Sequence, residues 1–142
     1  MARRRHLSRI AVLQVLFESE RRSNFNELEA LARNAQELGE VDLPFAESLL
    51  VGVVERQGEL ERVIEQHAPE WSLARMDPIS RCVLLIGTFE LLHRSDVPPA
   101  VAMNEAIEIA KEFGTEESGK FVNGVLNAIA QGTGKKEGQK EG

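Results

Sequence analysis

Apolar residues along the chain recur at steps of three and four and almost nowhere alternate with polar ones, so the pattern predicts helices and no strands. Leu28, Leu31, Ala35 and Leu38 form one such stripe, with Gly39 as its stop signal and Asn24 and Glu27 spaced as a capping box at its start. Asp42 and Pro44 open a longer segment whose Ala46, Leu49, Leu50, Val53, Val54, Leu60 and Ile64 keep helical phase until Pro69. After a link through Trp71, Asp77 and Pro78 read as N-cap and first helical residue. The helix they start, with Ile79, Val83, Leu84, Ile86, Leu91 and Leu92, is apolar nearly all round and should lie centrally.

Pro98 and Pro99 begin another helix striped by Ala102, Ala106, Ile109 and Phe113 and closed by Gly114. Thr115 or a neighbour then caps a last helix with Phe121, Val122, Val125, Leu126 and Ile129 on its apolar face. The first helix carries Ile10, Leu13, Leu16 and Phe17. The expected fold is all-α, a compact bundle of six or seven helices in two small subbundles joined near Pro69, with no internal repeat. Residues 1–131 form one domain, and the polar stretch 132–142, with nothing to bury, is expected to be disordered.

Composition agrees: 142 residues, 42% hydrophobic and 28% charged, suit one globular domain. The single cysteine, Cys82, cannot form an internal disulfide, and no apolar run suits a secretory signal or a bilayer span, which predicts a cytoplasmic protein without membrane contact. The net charge of −6 hides an asymmetry. Residues 1–9 hold Arg3, Arg4, Arg5 and Arg9 and no acid, while the other 133 residues carry 13 basic and 23 acidic side chains, a net of −10. An acidic body repels phosphate, so any nucleic-acid contact must be local. Charge alone leaves open whether the basic leader binds anything or only solubilises the chain.

Catalytic machinery is not apparent. The string from Gly114 to Phe121 resembles a phosphate-cradling Walker loop, but Phe121 replaces the hydroxyl that would hold magnesium, Glu116 and Glu117 would face the phosphates, and a helix precedes it where a strand belongs. His6, His67 and His93 lack zinc-ligand spacing, so neither metal nor cofactor is expected. Cys82 sits in the most apolar helix, no GxSxG elbow occurs, and Glu105, Glu108 and Glu112 beside Lys111 look like a solvated helix face.

The N-terminus carries more. If the first helix extends back through Arg9 and Arg5, the two stand at i and i+4 on one side and make a cationic stripe. Guanidinium groups bond phosphate in a fork and stack on bases, which suits single-stranded nucleic acid. Phe17, Phe113 and Phe121 could add stacking surface, although each also suits a core position.

RSDVPPAVAMNEAIEIAKEFG followed by SGKFVNGVL, and the opening RRRHLSRIAVLQVLF, resemble the NusB antitermination factors, the likeness covering most of residues 3–131. The resemblance implies a non-catalytic, two-bundle helical protein that pairs with the ribosomal protein NusE, binds boxA RNA and joins the RNA polymerase antitermination complex on ribosomal RNA operons. Carried over by position, its RNA surface falls on Arg4, Arg5, His6, Arg9 and Phe17, and on Phe113, Glu117, Lys120 and Phe121, joining the leader to the start of the last helix. Its partner surface falls on Ser80, Arg81 and Leu85 of the apolar helix. His6 and Leu85 stand where the family often has arginine, which weakens the leader's charge and enlarges an apolar patch. Two other classes compete: a homodimeric protein-interaction module, and an RNA methyltransferase, against which the missing cofactor-binding βαβ segment argues.

Overall fold

The computed structural model describes residues 2–68, 70 and 72–133, and among these it shows seven α-helices and no strand. The helices are α1 (Ala2–Ser19), α2 (Glu27–Leu38), α3 (Leu43–Glu55), α4 (Gln57–Gln66), α5 (Pro78–His93), α6 (Pro99–Phe113) and α7 (Glu116–Thr133), with a 3₁₀ turn at Leu73–Arg75. The chain divides into two units, after Glu55 and not near Pro69. Pro69, Trp71 and residues 134–142 lie outside the described residues. Helix α7 takes in Gly132 and Thr133, the first two residues of the stretch expected to be disordered.

In the first unit α1 packs on α2 and α3. Its core is Val12, Leu13, Val15 and Leu16 of α1, Ala30, Leu31 and Ala35 of α2, and Phe45, Ala46, Leu49, Leu50 and Val53 of α3. A buried hydroxyl ties the start of α3 to α1: Ser8 Oγ accepts from the Asp42 N–H at 2.9 Å while lying 2.6 Å from the Arg4 carbonyl. Two local expectations shift. Asn24 adopts a left-handed φ of 52°, a turn conformation that asparagine tolerates, and Asn26 takes over as N-cap of α2, its side chain accepting from the Glu29 N–H at 3.0 Å. The Asn-x-x-Glu spacing is thus used two residues later. Leu28, in the first turn of α2, is 51% exposed and outside the apolar stripe.

The expected long helix from Asp42 to Pro69 is interrupted at Arg56, whose φ of −111° and ψ of 18° separate α3 from α4. Glu55, Arg56, Gln57 and Gly58 are all exposed, so no buried side chain holds the backbone in phase there, and Gly58 weakens helix further.

The second unit is built round α5, which packs against α4, α6 and α7. Burial runs without interruption from Cys82 to Leu91, as its all-round apolar pattern predicts. Asp77 caps α5 by accepting from the Ser80 N–H at 2.9 Å, and Pro78 occupies its first turn. Gly87 permits a close approach at the centre: a Cβ there would lie 2.9 Å from Leu126 Cδ1 of α7 and 3.4 Å from Ala106 Cβ of α6.

Candidate nucleic-acid interface

Helix α1 does run back to Ala2, which puts Arg5 and Arg9 one turn apart. Both guanidinium groups turn onto one aromatic ring, with Cζ of Arg5 at 4.2 Å and Cζ of Arg9 at 5.1 Å from the centroid of Phe45. Phe45 is held at the start of α3 by Asp42, whose Oδ1 accepts its N–H at 3.2 Å. Arg9 is only 3% exposed and Arg5 is half-buried. The stripe is therefore partly interior: the weakly hydrated, planar guanidinium tolerates burial against an aromatic face where an ammonium would not. Arg4 is exposed, with Nη2 donating to the Val41 carbonyl at 3.5 Å, and His6 is half-buried.

Phe17, at the other end of α1, is half-buried under the guanidinium of Arg21, whose Cζ lies 3.8 Å from the ring centroid and whose Nη1 donates to the Phe17 carbonyl at 2.9 Å. What this end of the unit offers to a ligand is thus a stacked guanidinium plane as much as a bare ring. Arg22 lies 5.6 Å from the Phe25 centroid and pairs with Glu18 at 2.6 Å. All three phenylalanines of this unit therefore lie under arginines.

In the second unit α6 ends in Phe113, 39% exposed. The turn that follows explains the Walker-like string. Thr115 Oγ1 accepts from the Ser118 N–H and Ser118 Oγ accepts from the Thr115 N–H, each at 3.1 Å. This reciprocal cap spends on side-chain oxygens two backbone donors that a phosphate loop would aim at its ligand. Gly114 makes room for it, since a Cβ there would come within 2.6 Å of Ser118 Oγ. Glu117 and Lys120 project outward with 85% and 74% of their side chains exposed, and Lys120 Nζ stays 3.8 Å from Glu117 Oε2. So loose a surface pair leaves the ammonium available to a phosphate. Phe121 is half-buried beside Lys120 on α7.

The three residues expected at a partner surface are placed differently from one another. Ser80 is 1% exposed and donates its hydroxyl to Asp77 Oδ2 at 2.7 Å, and Leu85 is 3% exposed. Arg81 is half-buried, its Nη1 donating to the carbonyls of Leu73 and Met76 at 2.9 Å each, which fastens the 3₁₀ turn to α5. Among the described residues no group of three His, Cys, Asp or Glu side chains is placed to hold a metal ion, and no helix is long and apolar enough to cross a membrane.

Sequence reasoning missed Phe45 and the stack of Arg21 on Phe17. The second pair was legible as an i, i+4 spacing continuing α1; Phe45 had no local signal, because its arginines come from a distant part of the chain.

Fold and surface together define a small all-helical protein whose first helix is faced with stacked guanidinium groups. The model of the NusB family matches residues 6–131, and the chain belongs to that family. The transcription antitermination protein NusB of Desulfitobacterium hafniense (strain DSM 10664 / DCB-2) is 40% identical over 136 residues, 94% of this chain and 92% of the relative. NusB of T. maritima superposes with a TM-score of 0.80 at 38% identity, covering 89% of this chain and 90% of that one. A chain in a crystal structure of the antitermination factors NusB and NusE in complex with dsRNA superposes with a TM-score of 0.82 at 28% identity, covering 93% of this chain and 99% of that one.

Proposed function

We propose that this protein is a non-catalytic, cytoplasmic transcription antitermination factor that pairs with NusE, binds boxA-type single-stranded RNA and joins the RNA polymerase antitermination complex on ribosomal RNA operons. The observation that carries the reading is the near full-length likeness to a chain of the NusB and NusE complex with RNA. Arg4, Arg5, His6 and Phe17 of the first unit, and Phe113, Glu117, Lys120 and Phe121 of the second, are the proposed RNA contacts. Arg9, buried against Phe45, orients Arg5 rather than touching RNA. The RNA in the related complex is a duplex; single strands are favoured here because stacked guanidinium planes and half-exposed rings suit unpaired bases. Arg81 is the proposed NusE contact on α5, with Ser80 and Leu85 setting the shape of that helix from inside.

Fluorescence anisotropy with boxA-type, scrambled and duplex RNA, each with and without NusE, tests this. Preference for the single-stranded boxA sequence that rises with NusE is expected; equal binding of boxA and scrambled RNA with NusE present would overturn it. A second reading, a homodimeric interaction module, draws on an apolar groove in the first unit lined by Leu28, Val51 and Val54, which are 51%, 37% and 40% exposed. A stable dimer in light scattering that RNA never opens would favour it.

A further inference from the structure

We infer that a cleft in the second unit seats one unstacked nucleobase against the bare backbone of Gly124, with the base's exocyclic amine turned toward His67. The inference rests on the RNA-binding reading above and adds to it a pocket and a base preference. The cleft, open to solvent along much of its length, offers about 370 Å³ between the C-terminal end of α4 and one face of α7, at the small end of the range of roughly 300–1,000 Å³ common for ligand pockets. Its α7 wall is Phe121, Gly124 and Val125, which share a helical face by their i, i+3, i+4 spacing. Ala68 supplies apolar surface opposite.

Among the described residues, no packing contact requires glycine at position 124. It lies well inside a long helix, its φ is not positive, and a Cβ there would meet nothing within 4 Å. Glycine at such a position weakens the helix relative to alanine. The contrast is with Gly87, where a Cβ would come within 2.9 Å of the buried Leu126, and Gly119, where it would come within 2.6 Å of the Lys111 stem. At Gly124 the open space belongs to the cleft, and a missing side chain lets a flat group lie directly on the backbone.

The polar end of the cleft accepts hydrogen bonds. His67 Nδ1 lies 2.8 Å from the Val63 carbonyl oxygen, which can only accept, so Nδ1 is the donor, and in the tautomer this bond selects Nε2 is an acceptor. Gly132 stands next to Nε2, where a Cβ would crowd it at 3.1 Å. The Glu70 carboxylate, also lining the cleft, accepts as well. Adenine, cytosine and guanine each bring an exocyclic amine donor to this end, whereas both exocyclic groups of uracil are carbonyl oxygens that flank and shield its N3–H donor. Lys120, a further lining residue with its ammonium largely exposed, suits the phosphate of the same nucleotide.

Anisotropy titrations of the full chain with labelled ten-nucleotide rA, rC and rU oligomers test this. The unsubstituted protein should bind rA and rC about tenfold more tightly than rU, the worth of one hydrogen bond made or left unmade. Gly124→Leu, whose side chain grows into the cleft from a position with no neighbour, should keep or raise the thermal midpoint and bring rA and rC to the rU level; Gly124→Ala should do so in part. His67→Phe should erase the base preference. RNA binding that keeps its strength and base preference in Gly124→Leu would overturn the pocket and leave the RNA function standing. A protein that binds no RNA even with NusE present would overturn both.

Discussion

Arg9 and Phe45 form a buried cation–π pair: the guanidinium, 3% exposed, lies 5.1 Å from the centre of a ring that is itself 4% exposed. Arg9→Ala removes that stack and the packing of the arginine stem, and leaves a cavity beside Phe45. A loss of about 1–3 kcal/mol is expected, read as a lower urea midpoint at unchanged m. Arg9→Lys should recover only part of it, because an ammonium is more strongly hydrated and does not stack as a plane. RNA binding by either variant has to be compared at equal folded fraction.

Arg5 shares the same ring but is half-buried, so its replacement separates binding from folding better. Arg5→Ala should cost less stability than Arg9→Ala. It should weaken RNA binding and lower the slope of log K against log salt by about one, the signature of one lost phosphate contact. An unchanged slope would remove Arg5 from the interface.

Gly87 and Leu126 make a close approach between α5 and α7, with a notional Cβ 2.9 Å from Leu126 Cδ1. Gly87→Ala forces a fully buried leucine to shift, at about 1–3 kcal/mol for overpacking, partly offset by roughly 1 kcal/mol of better helix propensity. Leu126→Ala alone should cost about 2–5 kcal/mol through its cavity. The double variant should be more stable than the two losses added, by about 1 kcal/mol or more, because each change relieves the other. Simple additivity in a denaturant cycle would show that the approach is not tight in solution.

Glu59 is held below its ordinary value, first by its hydrogen bond to His93 Nε2 at 3.1 Å, opposed by a smaller effect of burial, and then by the charge of His93 and the hydrogen bond and charge of Arg56. A carboxylate whose folded pKa is lowered stabilises the fold above its unfolded value and loses that contribution as pH falls through the folded one. The slope of stability against pH from about pH 5 to about pH 3 should therefore flatten in Glu59→Gln. Its side chain is 38% exposed, so the effect is small and shrinks with added salt.

How far the chain could be read without coordinates depended on the range of the interaction. Asp77 with Pro78, the all-round apolar α5 and the stops at Gly39 and Gly114 are local or periodic signals, and each falls where expected. The cap of α2 slipped because Asn24 and Asn26 are both plausible N-caps, and only the backbone conformation separates them. The break at Arg56 was invisible because the apolar residues on either side stay in phase; what fails there is burial, which a periodicity does not register. Charge showed that the leader was basic but not that Arg9 would be buried, since its aromatic partner comes from another helix. Gly124 was visible only as a residue, and the open space beside it among the described residues needed the surrounding side chains.

Cys82, buried within α5, is the chain's one thiol and lies in the second unit. It serves as a native clock: a small alkylating reagent reaches it only when the helices round α5 part, so the labelling rate reports how often that unit opens. Set beside amide exchange in α1, α2 and α3, the same rate tells whether the two units breathe as one cooperative body or as two, and no residue need be changed to find out.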